Sequence, residues 1–268
     1  MTFNMEHTIP RTFDSTNILM ESIREYWNTN LHDEEITANP VGTEAFFHEL
    51  EAYRFAKLHY LPHLVDFSSF LGKQVLEVGC GLGIDLIQFA RGGAIVTGVD
   101  IAEVPIRLAR TCFEQNGLQA DLQVMNGEAL RFDDDSFDVV YAHGVLQYTA
   151  DDKRMIHELF RVLSPGGEAI LMVYNKYSWL NALSKLMKIE LEHEDAPVLR
   201  KYSIGQFKKM LRRFQHVRIV PERFPVRTRL HRGLKAEAYN RLFVPFFQRI
   251  PMLLVRPFGW HLLAFAIK

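Results

Sequence analysis

The sequence predicts an α/β protein, a mostly parallel β-sheet with helices on both faces. Three observations carry that prediction. From about residue 73 to 175, short β-rich apolar runs alternate with helical runs, the pattern of successive βαβ units. The first apolar run, Gln74-Val75-Leu76-Glu77-Val78, opens into a glycine loop, Gly79-Cys80-Gly81-Leu82-Gly83. The second ends on a carboxylate, Asp100, 23 residues after Glu77.

The remaining elements follow in order. A helix after the loop carries Leu86, Ile87 and Ala90 on one face, and Ala94 to Val99 is the second strand. Pro105 sits where a helix's first turn tolerates it, and Leu108, Ala109, Cys112 and Phe113 form the buried stripe. A third strand, Ala120 to Met125, leads into Asn126-Gly127-Glu128, and a fourth, Phe137 to Ala142, into His143-Gly144. Met155, Ile156, Leu159, Phe160 and Leu163 have helical spacing over Asp151 to Leu163. Ser164-Pro165-Gly166-Gly167 breaks that helix before a fifth strand, Glu168 to Tyr174. Tyr202 to Phe214 is expected to be a helix, His216 to Val220 a strand and Trp260 to Ile267 the last strand.

Two regions stand outside the alternation. Residues 1–70 begin polar and then give an amphipathic helix around Phe46, Phe47, Leu50 and Tyr53. Residues 221–258 are basic, aromatic and proline-rich. The expected organisation is an N-terminal helical extension or lid over 1–70 and a sheet domain over 71–268, with a cap insertion at about 221–258.

Bulk properties narrow the class. The 268 residues are 48% hydrophobic and 24% charged with a net charge of −1, so no global field favours nucleic acid or anionic membrane. The basic residues are nevertheless uneven: Arg218, Arg223, Arg227, Arg229, Arg232, Lys235, Arg241, Arg249 and Arg256 face only Glu222 and Glu237. Cys80 and Cys112 suggest no disulfide framework. The start lacks the charged-then-apolar pattern of a secretory signal. Leu242 to Ile267 is interrupted by charges and prolines, unlike a membrane span. A cytoplasmic enzyme is the expectation, with no nucleic-acid partner and its oligomeric state left open.

The glycine loop selects the ligand class. Glycines permit positive φ and close backbone approach, and such a loop after the first strand lies where open α/β sheets bind ligands. Dinucleotide binders use G-x-G-x-x-G with pyrophosphate at a helix N-terminus. This chain has E-x-G-x-G-x-G, with Ile84 where the last glycine would be. Glu77, two residues before the first glycine, is a poor neighbour for pyrophosphate but suits an ammonium group. Asp100 can accept from ribose hydroxyls. A nucleoside carrying a cationic amino-acid end satisfies both, and S-adenosylmethionine (SAM) is such a molecule.

Val75 to Gly83 resembles the first motif of the class I SAM-dependent methyltransferases, and Gly98-Val99-Asp100 resembles their second-strand acid. Asn126-Gly127-Glu128-Ala129 is similar to the adenine-binding turn. Phe137-Asp138-Val139-Val140 with His143 is similar to the fourth-strand motif, and Arg161 to Gly167 to the late L-x-P-G-G turn. The closest flavour is the small-molecule group that includes ubiquinone/menaquinone and sterol methyltransferases. The resemblance covers roughly residues 72–175 and implies a Rossmann-like, seven-stranded sheet. It also implies that Glu77 holds the methionine amino group, with Gly79, Cys80, Gly81 and Gly83 backing that moiety. Asp100 would bind ribose, Ile101 would pack on adenine, and Gly127, Glu128 and Ala129 would line the adenine pocket. Glu128 departs from the commoner Asp.

Methyl transfer is an in-line displacement helped by positioning and by exclusion of water, and some acceptors also need a base. His143, past the fourth strand, is the candidate base, or else hydrogen-bonds the cofactor or shapes the pocket. Gln147 and Tyr148 in the next loop, and His48, Tyr53 and Arg54 on the N-terminal helix, are candidates to line the substrate site. Asp133-Asp134-Asp135 suits a polar turn better than a metal site, so no metal is expected. The segment after the fourth strand, Tyr141-Ala142-His143-Gly144, lacks the N-P-P-Y or D-P-P-Y run of amine methylation on DNA bases. A small, partly apolar metabolite is the expected substrate. The alternatives are a lipid or quinone met at the membrane surface through the basic C-terminal segment, and a SAM-binding protein without transferase activity.

Overall fold

A computed structural model describes residues 11–188, 190–191, 193–226 and 233–268. Three arginines of the basic segment, Arg227, Arg229 and Arg232, lie outside the described residues, as does the Lys235 side chain.

The chain begins with α1 (Arg11–Thr29), α2 (Glu44–Lys57) and α3 (Leu61–Leu64). The sheet domain then runs β1 (Gln74–Val78), α4 (Leu86–Arg91), β2 (Ile95–Asp100), α5 (Glu103–Gln115), β3 (Asp121–Val124) and β4 (Phe137–His143). It continues with α6 (Asp152–Val162), β5 (Leu163–Tyr174), α7 (Trp179–Met187), α8 (Ile204–Met210), β6 (Gln215–Glu222) and β7 (His261–Ile267). Short helical segments between Leu234 and Phe258 fill the interval from β6 to β7.

The seven strands form one sheet in the order β3-β2-β1-β4-β5-β7-β6. β1 to β5 run parallel, and β7 is antiparallel to both β5 and β6. This is the Rossmann-like arrangement expected, with one reversed strand. Both faces are covered, which explains the near-continuous apolar strands. Val75, Val139 and Ile170 point to the core beneath α2, α4 and α5, with Phe46, Phe89, Ile106 and Phe113. Leu76, Val140 and Leu171 point the other way, to the core beneath α6 and α8, with Met155, Leu159 and Phe207.

Local chemistry sets several boundaries. The Thr43 hydroxyl accepts from Phe46 N at the start of α2, and Asp151 accepts from Lys153 N and Arg154 N at the start of α6. Ser203 and Gln206 make a capping box that opens α8. α8 ends at Met210, short of the expected Phe214, because Leu211 to Phe214 turns directly into β6.

Two other expectations need correction. Ser164 to Gly167 does not separate helix from strand: β5 begins at Leu163, where Leu163 pairs with Phe137 before the register shifts to Val139 opposite Glu168. The proline and glycines occupy that irregularity instead of a free turn. α1 belongs to the expected N-terminal helical extension but lies ahead of the helix placed around Phe46 to Tyr53, and α7 lies in a stretch to which the pattern assigned no helix. α1 has few apolar residues to mark a stripe, and α7 is set by the Ser178 cap, whose side chain accepts from Asn181 N.

Candidate functional site

The parallel strands β1, β2, β3 and β4 end on one edge of the sheet, where open α/β sheets place ligands. The loops following them, together with α1 and α2, line a single cavity. It encloses about 1460 Å³ of atom-free space, its mouth included.

One end of the cavity is built by the glycine loop. Gly79 N and Cys80 N both donate to Val99 O, at 2.7 and 3.0 Å, tying the loop to the end of β2. Gly79 and Gly81 have φ of 71° and 53°, the left-handed region that glycine tolerates. A Cβ on Gly79 would lie 2.2 Å from Val145 Cγ2, whereas a Cβ on Gly81 would meet nothing within 4 Å. Gly81 is therefore the glycine that leaves room for a ligand. Gly83 is not part of the lining; a Cβ there would press on Phe113 and Ala109 of α5 at 3.2 and 3.3 Å. Its role is helix packing, which corrects the expectation that it backs the ligand.

Three carboxylates lie along this end. Glu77 is buried, and its Oε2 has no hydrogen-bond partner among the described residues. Burial, then Asp85, pushes the Glu77 carboxyl well up, and Arg54 opposes them. Asp100 Oδ2 accepts from Gly81 N and Oδ1 from Ala102 N, both at 3.0 Å, and burial raises its carboxyl. Glu128 Oε1 accepts from Asp151 N at 3.0 Å, and burial raises it too. Cys80, Ile101 and Gly127 also line the cavity, Gly127 packed so that a Cβ would lie 2.7 Å from Val78 Cγ1. Ala129 is exposed and outside the lining, because the turn it belongs to points it to solvent. Met125, Val145 and Met155 supply apolar walls that the motifs did not mark.

The other end is organised by Arg54. Its Nε donates to Asp85 Oδ1 at 2.5 Å, and Nη2 donates to Asp85 Oδ2. Tyr141 Oη donates to the same Asp85 Oδ2 at 2.7 Å. Burial tends to discharge both partners, but their attraction wins: Arg54 is raised and Asp85 lowered. Arg54 Nη2 also lies 3.3 Å from His143 Nδ1. A guanidinium only donates, so Nδ1 accepts and the imidazole proton sits on Nε2. Burial, reinforced by Arg54, lowers His143 to about 3, keeping it neutral. Its Nε2 has no partner among the described residues. His143 thus offers a buried N–H rather than a lone pair. The expectation of a general base at this position is corrected by the arginine beside it.

Beyond His143 stands His261, their rings 5.5 Å apart. Arg223 Nη1 lies 3.1 Å from His261 Nε2 and Tyr60 Oη 2.5 Å from Nδ1. By the same argument Nε2 accepts from Arg223, and Nδ1–H donates to Tyr60. Trp27, Tyr148, Met172 and Tyr174 close this end with apolar and aromatic surface.

The remaining sequence candidates are scattered. Tyr148 lines the cavity. Gln147 does not: it is wholly buried behind the loop, with neither amide atom hydrogen-bonded among the described residues. His48 is exposed on the opposite side of α2, in a separate cleft with Asn39, Arg91 and Asn116. Tyr53 lies outside the lining, its ring under Lys57 Nζ at 5.1 Å. Helical geometry turns His48 away, since Leu50, Arg54 and Lys57 share the inward face at three- and four-residue spacing, whereas Tyr53 keeps that spacing but stands at the edge of the face against Lys57. The spacing signal was present for Arg54, a charge in register with Phe47 and Leu50. No motif marked Asp85, Tyr141, Arg223 or His261. Asp134 and Asp135 pair with Arg161 and Lys268, which ties the acidic turn to the sheet edge. Of the described residues of the segment 221–258, only Arg223 lines the cavity; Phe243 and Phe247 pack around Trp179 instead.

Comparison with known proteins identifies the framework. A family model described as a methyltransferase domain matches residues 76–171. The chain is 33% identical over 138 residues to the ubiquinone biosynthesis O-methyltransferase of Coxiella burnetii, covering 52% of this chain and 56% of that one. Residues 76–171 are thus similar to a methyltransferase domain. A second relative, the ubiquinone biosynthesis O-methyltransferase of Pseudomonas putida, is 35% identical over 109 residues, 40% of this chain and 47% of the relative. The chain therefore spans about half the length of the curated relatives it matches. Among solved structures, the geranyl diphosphate C-methyltransferase of Streptomyces coelicolor superposes with a TM-score of 0.60 at 14% identity, covering 93% of this chain and 98% of that one. A SAM-dependent methyltransferase from Aquifex aeolicus gives 0.53 at 15% identity, covering 83% and 97%. At such identities the likeness is one of fold. Among the described residues, no helix is long and apolar enough to cross a membrane.

Proposed function

We propose that the protein is a SAM-dependent methyltransferase acting on a small, partly apolar metabolite. The observation that carries this reading is the row of carboxylates Glu77, Asp100 and Glu128 along a glycine loop that keeps open space at Gly81. A buried carboxylate oxygen without a partner, as at Glu77, suits an ammonium group. Asp100, held by two backbone N–H groups, keeps lone pairs for ribose hydroxyls. Gly127 and Glu128, with Ile101 and Met125, would hold the adenine. The relatives' name, ubiquinone biosynthesis O-methyltransferase, supports an oxygen acceptor on a small ring compound.

SAM would supply an electrophilic methyl group on a sulfonium. The chain's own residues would do the rest. The aromatic end formed by Trp27, Tyr148 and Tyr174 would seat the apolar body of the acceptor and exclude water. His143 would hydrogen-bond to the acceptor through Nε2–H, its tautomer held by Arg54, and would not take up a proton. Arg54 is a positioning residue, fixed by Asp85 and Tyr141.

Calorimetry with the product S-adenosylhomocysteine (SAH) tests the reading. Binding is expected, and Asp100→Ala should weaken it by about 1–3 kcal/mol, the cost of losing hydrogen bonds to a charged group. Undiminished affinity in the variant would remove the ribose role. A clear SAH isotherm without turnover across phenol and carboxylic acid acceptors would favour a binding protein over a transferase.

A further inference from the structure

Among the described residues, the charges lining the cavity do not balance at its aromatic end. Arg54 is neutralised by Asp85, and Lys57 Nζ lies 2.5 Å from both oxygens of Asp33. Arg223 is the remaining arginine of the lining, and it has no carboxylate within ion-pairing distance among the described residues. Its one side-chain hydrogen bond among those residues goes to His261 Nε2, a neutral partner that orients the guanidinium without cancelling its charge. Neighbouring Glu222 does not serve as the counter-ion; its carboxyl is raised by burial, and the cation opposing that rise is Arg256.

The backbone shows that this placement is enforced. Arg223 has a φ of 59°, left-handed and uncommon for a side chain of this size. Its carbonyl oxygen accepts from Trp179 Nε1 at 2.9 Å and from Trp260 N at 3.4 Å, which pins the strained residue from two directions. Strain held in this way at a ligand cavity points to a functional demand on the side chain. A guanidinium presents a planar fork of N–H donors that matches an oxyanion bidentately.

We propose that Arg223, oriented by His261, binds an anionic oxygen group, carboxylate or phosphate, on the acceptor molecule. This rests on the methyltransferase reading and adds the substrate class: an apolar, ring-sized body with one anionic head. The aromatic walls of Trp27, Tyr148 and Tyr174 take the body, and Arg223 takes the head. His143 and His261 are both held neutral and both accept from arginine, so neither adds a negative charge beside Arg223.

Calorimetry with three naphthalene probes of one shape tests the proposal, with and without SAH. The probes are 2-naphthoate, 2-naphthyl phosphate and neutral 2-naphthamide. The wild-type protein should bind an anionic probe more tightly than the amide. Arg223→Gln should weaken the anion about tenfold or more, as for lost hydrogen bonds to a charged group, and leave the amide and SAH unchanged. Arg223→Lys should recover part of the loss, and matching thermal melts show that each variant folds. Whichever anion binds more tightly identifies the head group as carboxylate or phosphate. Equal anion affinity in wild type and Arg223→Gln, an amide that binds as tightly as the acid, or no anion binding to wild type overturns the proposal. Failure of SAH to bind the wild type counts instead against the methyltransferase reading.

Discussion

Arg54 decides what two neighbouring side chains can do. It keeps Asp85 ionised inside the protein, and it fixes the His143 proton on Nε2. Removing one partner of a buried pair leaves the other charge uncompensated, so Arg54→Met should cost about 3–5 kcal/mol in urea unfolding. Adding Asp85→Asn should recover much of that loss, because the orphaned charge is gone. A merely additive double variant would refute the coupling. His143 gives a pH signature of known sign. Its folded pKa, about 3, lies below the ordinary value near 6.5, so falling pH protonates the unfolded chain first and stability is lost. Between pH 7 and pH 5, wild type should lose roughly 2 kcal/mol relative to His143→Asn, at about 1.4 kcal/mol per pH unit below 6.5. Parallel urea titrations at the two pH values check this; a pH-independent difference would mean His143 titrates normally.

At the scale of elements, the glycine loop separates two kinds of glycine that look alike in the sequence. Gly79 is hemmed in by Val145 and Gly81 faces open space, although both have positive φ. Gly79→Ala should therefore destabilise the fold by more than the roughly 1 kcal/mol of left-handed strain alone, and Val145→Ala should relieve part of it. Gly81→Ala should cost about the strain alone but weaken SAH binding, since its methyl would stand in the ligand's space. Thermal melts paired with SAH calorimetry distinguish the two. The helices show the same division. α5 and α6 were legible because their apolar stripes repeat at helical spacing. α1 was not, because its stripe is sparse and becomes meaningful only where Ile23 and Trp27 meet the cavity.

For the whole molecule, the cavity joins residues from α1 to β7, so its two ends are coupled through helices that precede the sheet. Met20, Ile23 and Trp27 of α1 line the same space as Gly81 and Asp100. SAH should therefore slow amide exchange in α1 from about residue 18 to 29 as well as in the loop after β1. Protection confined to the glycine loop would show that α1 does not close over the ligand.

The sequence by itself determined the sheet domain and the glycine-loop end of the cavity. Those features are local: a strand period, a glycine spacing and an acid at a strand end all act within a few residues. The fold class and Glu77, Gly79, Gly81 and Asp100 were readable for that reason. Only the tertiary structure decided the other end. Arg54 meets Asp85 across 31 residues and His143 across 89, and Tyr60 meets His261 across 201. Such pairs leave no periodic trace, since each residue is an ordinary surface type until the fold buries it. The same packing turned His48 and Tyr53 away, placed Gly83 and Ala129 outside the lining, and made His143 a donor. Burial and the identity of the neighbour, not spacing, set the charge and proton of each group, and both are properties of the folded chain.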